Sequence, residues 1–117
     1  MKRKMIFIAV LVMLASPVAN ATSAFVSGKV LRILVADEGR YGGCMAKLNT
    51  TIAATLPNCP GRWVTFSCSG DFTTKDVAFR MLDMAQMAKA LDKTLIVQVD
   101  DTKKHNGFCY ASRTDIQ

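Results

Sequence analysis

Histidine and closely spaced cysteines, which serve in many catalytic and metal sites, are scarce in this sequence. It has one histidine among 117 residues, and no two of its four cysteines form a C-x-x-C pair. A zinc site is therefore not expected, because such sites use closely spaced cysteine and histidine ligands. A thiol–disulfide exchange enzyme is not expected either, because it needs the C-x-x-C motif. The sequence also lacks internal repeats and the regularly spaced oxygen ligands of a calcium loop.

Only one long apolar run is present, at residues 5–14. Three basic residues precede it at positions 2–4, and a small-x-small sequence (Ala-Asn-Ala) follows at positions 19–21. This three-part layout is typical of a secretory signal peptide, so we predict a signal at residues 1–21 that is cleaved after Ala21. The run is too short for a permanent membrane anchor. The predicted location is therefore secreted or periplasmic.

The charge balance changes once the predicted signal is removed. The chain has 15 basic and 9 acidic residues, and three of the basic ones lie in the signal, which leaves 12 against 9 and a net charge of +3. This is an ordinary surface charge for a small domain, so nucleic acid is not expected as a partner. The remaining residues, 22–117, are enough for one hydrophobic core, and we predict a single domain.

The four cysteines all lie after the predicted signal, at Cys44, Cys59, Cys68 and Cys109. An even number of cysteines in an oxidising compartment predicts two structural disulfides. Four cysteines allow three pairings, and the sequence alone does not choose among them. In the chain-entropy treatment of disulfides, each bond would stabilise the fold by roughly 3–4 kcal/mol.

Hydrophobic periodicity predicts five strands and one helix. The strands are expected at residues 26–36, 44–48, 62–68, 95–100 and 108–113, and the helix at residues 75–91. The order of three strands, a helix and two strands matches the small five-stranded barrel of the OB fold. An α+β sheet with one packed helix is the alternative. Gly28, near the start of the first strand, is expected to mark a bulge or a bend.

The predicted helix carries more apolar residues than one core-facing stripe requires. Phe79 and Met87 fall towards its polar side, and they are candidates for an oligomer interface. The alternative is that a small barrel simply wraps around them. The stripe expected to face the core consists of Val77, Ala78, Met81, Leu82, Ala85 and Ala88.

Five residues are candidates for ligand binding. Tyr41, Trp63 and Tyr110 offer flat aromatic faces that suit sugar rings. Trp63 begins a strand and is more typical of a core residue, whereas Tyr41 lies in a glycine-rich turn and is expected to be exposed. Lys103 and Lys104 could contact an acidic group at a hairpin tip, although such lysines usually serve solubility.

No catalytic residue, metal site or cofactor is predicted. His105 is the only histidine, and no serine or cysteine is placed beside it by any motif, so we expect a solvated side chain at a hairpin tip. Asp100 and Asp101 could form a carboxylate pair. The preferred interpretation is that they end a strand and begin a turn, where Asp forms local hydrogen bonds. The sequence therefore favours a protein that is not an enzyme.

Taken together, the elements resemble a known group of proteins. The resemblance covers nearly all of residues 22–117 and lies in element order, cysteine placement and scattered positions. It is carried by Gly28-Lys29-Val30, Cys44, Cys59 before Trp63-Val64-Thr65-Phe66, the segment 93–99 (KTLIVQV) and Cys109-Tyr110-Ala111. The chain is similar to small secreted bacterial proteins, and these resemble the OB-fold B subunits of subtilase cytotoxin and typhoid toxin. Related sequences have a glycine before the fourth strand, where this chain has Leu91-Asp92-Lys93.

The resemblance implies a fold, a cysteine pairing and a type of function. It implies an OB barrel with a Cys44–Cys68 bond, which leaves Cys59–Cys109 as the second bond. In the toxins, the B subunits form a pentamer that binds cell-surface glycans and carries a separate enzymatic subunit. The leading expectation is therefore a secreted or periplasmic glycan-binding protein, for which the resemblance implies a homo-oligomer such as a pentamer. The alternative is a monomeric periplasmic protein that binds or inhibits another envelope protein.

Overall fold

A computed structural model describes residues 22–37 and 39–117. The predicted signal peptide lies outside the described residues and stays a prediction. The predicted order of three strands, one helix and two strands is confirmed. The elements are β1 (Ser23–Val35), β2 (Cys44–Leu48), β3 (Trp63–Thr65), α1 (Lys75–Ala90), β4 (Thr94–His105) and β5 (Phe108–Ile116), with short 3-10 turns at Arg40–Gly42 and Ile52–Ala54.

The five strands pair in the order β1-β2-β3-β5-β4, and β4 pairs again with β1, so the sheet closes into a barrel. The β1–β2, β1–β4, β2–β3 and β4–β5 ladders are antiparallel. The β3–β5 contact is parallel and consists of one residue pair, Thr65 with Tyr110. This contact is therefore the narrowest junction of the sheet.

The long first strand serves two neighbours. It pairs with β4 through residues 23–29 and with β2 through residues 30–35, and the register shifts between Val30 and Arg32. The irregularity is therefore at Leu31 and not at Gly28. Gly28 is needed for close packing instead, because an added Cβ would lie 2.6 Å from Asn49 Oδ1 and 2.7 Å from Thr50 Oγ1.

The last hairpin is tighter than predicted. The segment expected as a long turn, residues 101–107, is mostly strand, because β4 continues to His105 and β5 begins at Phe108. Only Asn106 and Gly107 form the turn, with φ angles of 52° and 86°. Positive φ at both central residues is the geometry of the two-residue turn that Asn-Gly favours. In contrast, β3 covers only part of the predicted 62–68 strand.

The helix α1 begins with a side-chain cap and buries one face. The hydroxyl of Thr74 accepts a hydrogen bond from the Val77 amide at 3.3 Å. Ala78, Met81, Leu82, Ala85 and Ala88 are buried as predicted. Val77 was expected in the same stripe, but it is 43% exposed because it lies just outside the buried arc, in the first turn. No helix among the described residues has the length and apolar character needed to cross a membrane.

The helix exit uses a residue other than glycine. Asp92 adopts a φ of 53°, a left-handed conformation in which glycine is favoured. The Lys93 amide donates to the Ala88 carbonyl at 2.9 Å, which closes the helix end. Lys29 on β1 reaches this point, donating a hydrogen bond to the Asp92 carbonyl and lying 3.5 Å from its carboxylate. These contacts hold a conformation that is otherwise unfavourable for Asp92.

Two disulfides tie the strands together in the core. Cys44 on β2 is bonded to Cys68 just after β3, and Cys59 in the β2–β3 segment is bonded to Cys109 on β5. This is the pairing that the resemblance implies. All four cysteines are buried. Two buried disulfides in so small a domain indicate an oxidising environment outside the cytoplasm.

Removing either disulfide should cost a large part of the stability. We expect Cys44→Ala with Cys68→Ala to lower the free energy of unfolding by about 3.5 kcal/mol, and Cys59→Ala with Cys109→Ala by about 4 kcal/mol, because the second bond closes the longer loop. Urea unfolding followed by circular dichroism would measure both losses. A loss below about 1 kcal/mol for either pair would contradict a structural role for that bond.

Candidate functional site

One surface depression lies on the outside of β1, β2 and β3. It has a volume of about 250 Å³, and we call it the aromatic cleft. Tyr41 comes from the β1–β2 loop, Trp63 from β3 and Phe108 from β5. Two of the predicted ligand-binding residues, Tyr41 and Trp63, are therefore brought together. The full lining is Arg32, Leu34, Tyr41, Met45, Trp63 and Phe108.

The register shift in β1 places residues in this cleft. Val30 points into the core opposite Leu48, and simple alternation would send Arg32 into the core as well. The extra residue, Leu31, reverses the alternation, so that Arg32 pairs with Lys47 and faces outward. Leu34 follows on the same face and lines the cleft.

Arg32 and Trp63 form one wall of the cleft. The guanidinium carbon of Arg32 lies 5.6 Å from the centroid of the Trp63 ring, within the range of a cation–π interaction. Trp63 is half-buried and lies on the outer face of the barrel, so the expectation of a core tryptophan is wrong. The reason is its register: Trp63 pairs with Lys47, whose side chain also points outward.

Tyr41 is held over the cleft by its backbone. It has φ 53° and ψ 25°, and it is followed by two glycines with positive φ, Gly42 and Gly43. The buried hydroxyl of Thr65 on β3 donates a hydrogen bond to the Tyr41 carbonyl at 2.7 Å. The Tyr41 ring then packs edge-on against Phe108, with centroids 6.0 Å apart. Tyr41 is thus half-buried and positioned, and it is not a freely exposed side chain.

A second depression, which we call the polar cavity, adjoins the aromatic cleft at Tyr41. It has a volume of about 430 Å³ and lies between the β1–β2 loop and the β4–β5 turn. Its walls offer a guanidinium, a phenol, an imidazole and an amide, which suits a ligand rich in hydroxyl groups. The lining residues are Gly39, Arg40, Tyr41, His105 and Asn106.

His105 is not the solvated side chain that the sequence predicts. Its side chain is 14% exposed, and its ring packs against Phe72 with centroids 4.4 Å apart. Its Nε2 atom lies 3.0 Å from Ser67 Oγ. The prediction failed because β4 extends to His105, which places the ring over the end of β3 instead of in a turn.

The Ser67–His105 pair lacks the geometry of a nucleophile and its base. Asp71 Oδ2 lies 3.7 Å from the same nitrogen, Nε2, whereas a catalytic triad needs the carboxylate on the other ring nitrogen. Ser67 is also completely buried, and its hydroxyl already accepts a hydrogen bond from the Phe72 amide at 3.2 Å. These contacts fix the segment after β3 to the end of β4.

Three predicted ligand-binding residues lie away from both depressions. Tyr110 is only 4% exposed and packs against Phe72, so its ring is not free to stack on a ligand. Lys104 donates a hydrogen bond to the Asn58 carbonyl at 2.6 Å. The ammonium group of Lys103 lies 6.0 Å from the centroid of the Tyr110 ring. Both lysines belong to β4, not to a hairpin tip.

Asp100 forms the predicted local hydrogen bonds, but the prediction that Asp100 and Asp101 end a strand and begin a turn is wrong, because both lie within β4. Its Oδ1 accepts from the Thr102 amide at 2.8 Å and from the Thr102 hydroxyl at 2.6 Å. Burial acts to raise the pKa of Asp100, but the two Thr102 hydrogen bonds and the charge of Lys103 outweigh it and lower the pKa below its ordinary value. No cluster of metal-ligating side chains occurs in the described residues.

The candidate interface residues remain open to solvent. Phe79 is 47% exposed and Met87 is 54% exposed, so the barrel does not wrap around them. Leu91, at the end of the same helix, is 59% exposed. The helix therefore presents apolar side chains on the surface away from the core.

We predict that a side chain at position 42 destabilises the fold, because Gly42 is closely packed. An added Cβ would lie 2.4 Å from both His105 Cδ2 and Thr65 Oγ1, and the residue has a φ of 74°. We expect Gly42→Ala to lower the free energy of unfolding by at least about 2 kcal/mol, from strain and overlap together. Gly61→Ala is the matched control, because Gly61 has a φ of 69° with nothing within 4 Å, and strain alone should cost it about 1 kcal/mol. Equal losses in urea unfolding would show that Gly42 is not tightly packed.

No protein-family model, curated protein or solved structure matches this chain.

Proposed function

We propose that this is a non-enzymatic binding protein with an OB-like barrel, whose ligand site is the aromatic cleft and the adjoining polar cavity. One observation carries the proposal. The aromatic cleft lies on the outer face of β2 and β3, and the polar cavity beside it lies between the β1–β2 loop and the β4–β5 turn. That is the position at which OB barrels bind oligosaccharides and oligonucleotides.

The lining chemistry favours a glycan over a nucleic acid. Trp63 and Tyr41 offer aromatic surface for the apolar face of a sugar ring. Arg40 and Asn106 offer hydrogen-bond donors for hydroxyl groups in the polar cavity. The modest net charge after the predicted signal gives little of the phosphate attraction on which nucleic-acid binding depends.

The most concrete form of the proposal is a secreted or periplasmic subunit similar to a toxin B subunit. The disulfides support an oxidising compartment. The exposed apolar residues of α1, Phe79 and Met87, support assembly with further copies of the chain, and the resemblance implies a pentamer. The same surface supports the alternative, a monomer that binds or inhibits another envelope protein.

A glycan array, followed by titration of any bound glycan, tests the ligand proposal. We expect binding at high protein concentration, and Trp63→Ala or Tyr41→Ala should weaken it about tenfold or more, because aromatic stacking contributes about 1–3 kcal/mol. Phe25→Ala is the matched control, since Phe25 is 55% exposed and lies outside the cleft. The absence of any bound glycan, or an equal loss in the Phe25 variant, would refute the proposal.

Native mass spectrometry of the disulfide-bonded protein tests the assembly. We expect a closed homo-oligomer that dissociates to monomers when Phe79→Glu and Met87→Glu are combined, because two charges would then be buried at each contact. Val35→Glu provides the control, as Val35 is 65% exposed on β1 and should leave the assembly intact. A monomeric wild-type protein would reject assembly and favour an envelope protein partner, which pull-down should then recover in stoichiometric amount.

A further inference from the structure

A partly buried chain of hydrogen bonds joins the two walls of the polar cavity, the β1–β2 loop and the end of β4. Thr65 Oγ1 donates to the Tyr41 carbonyl at 2.7 Å, and the Ser67 amide donates to Thr65 Oγ1 at 3.2 Å. Ser67 Oγ then lies 3.0 Å from His105 Nε2. The chain therefore runs from the β1–β2 loop, through the strand β3 and the residues after it, to the end of β4.

The hydroxyl of Ser67 has few possible hydrogen-bond partners. Ser67 Oγ accepts from the Phe72 amide, and its own proton needs an acceptor. Within the described part of the chain, His105 Nε2 is the one acceptor recorded for that proton. Ser67 is completely buried, and its hydroxyl proton is paired when Nε2 is the acceptor, in the neutral form of His105 that carries its proton on Nδ1.

We infer that Thr65, Ser67 and His105 are positioning residues for the aromatic cleft, and that the proton state of His105 controls the cleft's geometry. A proton on Nε2 turns this acceptor into a donor, and the proton of the buried Ser67 hydroxyl loses its acceptor. A buried polar group without a partner is unfavourable, so the chain rearranges. Thr65 Oγ1 is hydrogen-bonded to both the Ser67 amide and the Tyr41 carbonyl, so a displacement of Ser67 also displaces Tyr41 and changes the cleft.

One carboxylate and several basic side chains surround His105. Asp71 faces Nε2 at 3.7 Å and attracts the new Nε2 proton away from Ser67. Arg40 and Tyr41 face the imidazole across the polar cavity. On β4 itself, Lys104 is held by the Asn58 carbonyl and Lys103 lies beside the Tyr110 ring. Asp71 is thus the carboxylate that contacts the imidazole.

The inference concerns regulation of the proposed ligand site and rests on that proposal for its biological meaning. If the cleft binds a glycan, a ligand that requires the ordered Tyr41 will bind the neutral form of His105 more tightly. By linkage, the bound ligand will oppose proton uptake by the same factor. Affinity is therefore expected to fall on acidification.

The sequence permits a test that needs no ligand, because it contains one tryptophan and one histidine. Proton NMR of the disulfide-bonded protein between pH 8 and pH 5 will show one indole N–H resonance, from Trp63, and one set of imidazole resonances, from His105. We expect the Trp63 resonance to shift with the same midpoint as the His105 resonances. A Trp63 resonance that stays unchanged while His105 titrates would overturn the inference.

Two variants identify the route. His105→Gln supplies an amide oxygen that can accept from Ser67 but does not titrate, so the Trp63 shift should be lost while the fold is kept. Thr65→Val removes the hydroxyl that holds Tyr41, so His105 should still titrate without a response at Trp63. A Trp63 shift that persists in either variant would reject the hydrogen-bond chain as its cause. Because no glycan is used, failure here is distinct from failure of the glycan array.

Discussion

A single extra residue in β1 determines which side chains lie on the outer face of the barrel. Up to Val30 the strand alternates with its apolar side chains facing the core, and the register shift at Leu31 reverses the two faces. Without the shift, Arg32 would point into an apolar interior, where an unpaired guanidinium is very unfavourable. With it, Arg32 and Leu34 join Trp63 on the outer face. The cleft exists because the strand is irregular at this point.

The strand β3 connects this outer surface with the interior. Trp63 faces the cleft, and Val64 next to it is completely buried in the core. Thr65 and Ser67 are also completely buried, yet both are polar, and each has hydrogen-bond partners. Buried polar groups of this kind specify one arrangement of the surrounding loops, because any other arrangement leaves a group unpaired. The short strand thus sets the conformation of the site as well as the barrel.

The sequence was sufficient for the element order and much of the core, but not for the site. The helical stripe from Ala78 to Ala88 follows from periodicity alone, and Asn106-Gly107 correctly indicates a hairpin. A two-residue turn also requires strands that reach His105 and Phe108, and this consequence would have corrected the long turn expected at 101–107. Arg32 and Leu34 were missed because a bulge leaves no clear mark in the sequence. The contact between Ser67 and His105 joins residues 38 positions apart, and no local pattern encodes it.

The parallel junction of β3 and β5 also bears on how the chain folds. A single residue pair, Thr65 with Tyr110, joins two strands that are far apart in the sequence, so the entropy of a long loop must be overcome for very few hydrogen bonds. Contacts between distant residues slow folding for this reason. The Cys59–Cys109 bond spans the same pair of chain segments. In an oxidised chain this bond holds the two segments together before the strands pair, so it shortens the loop that the β3–β5 contact must close.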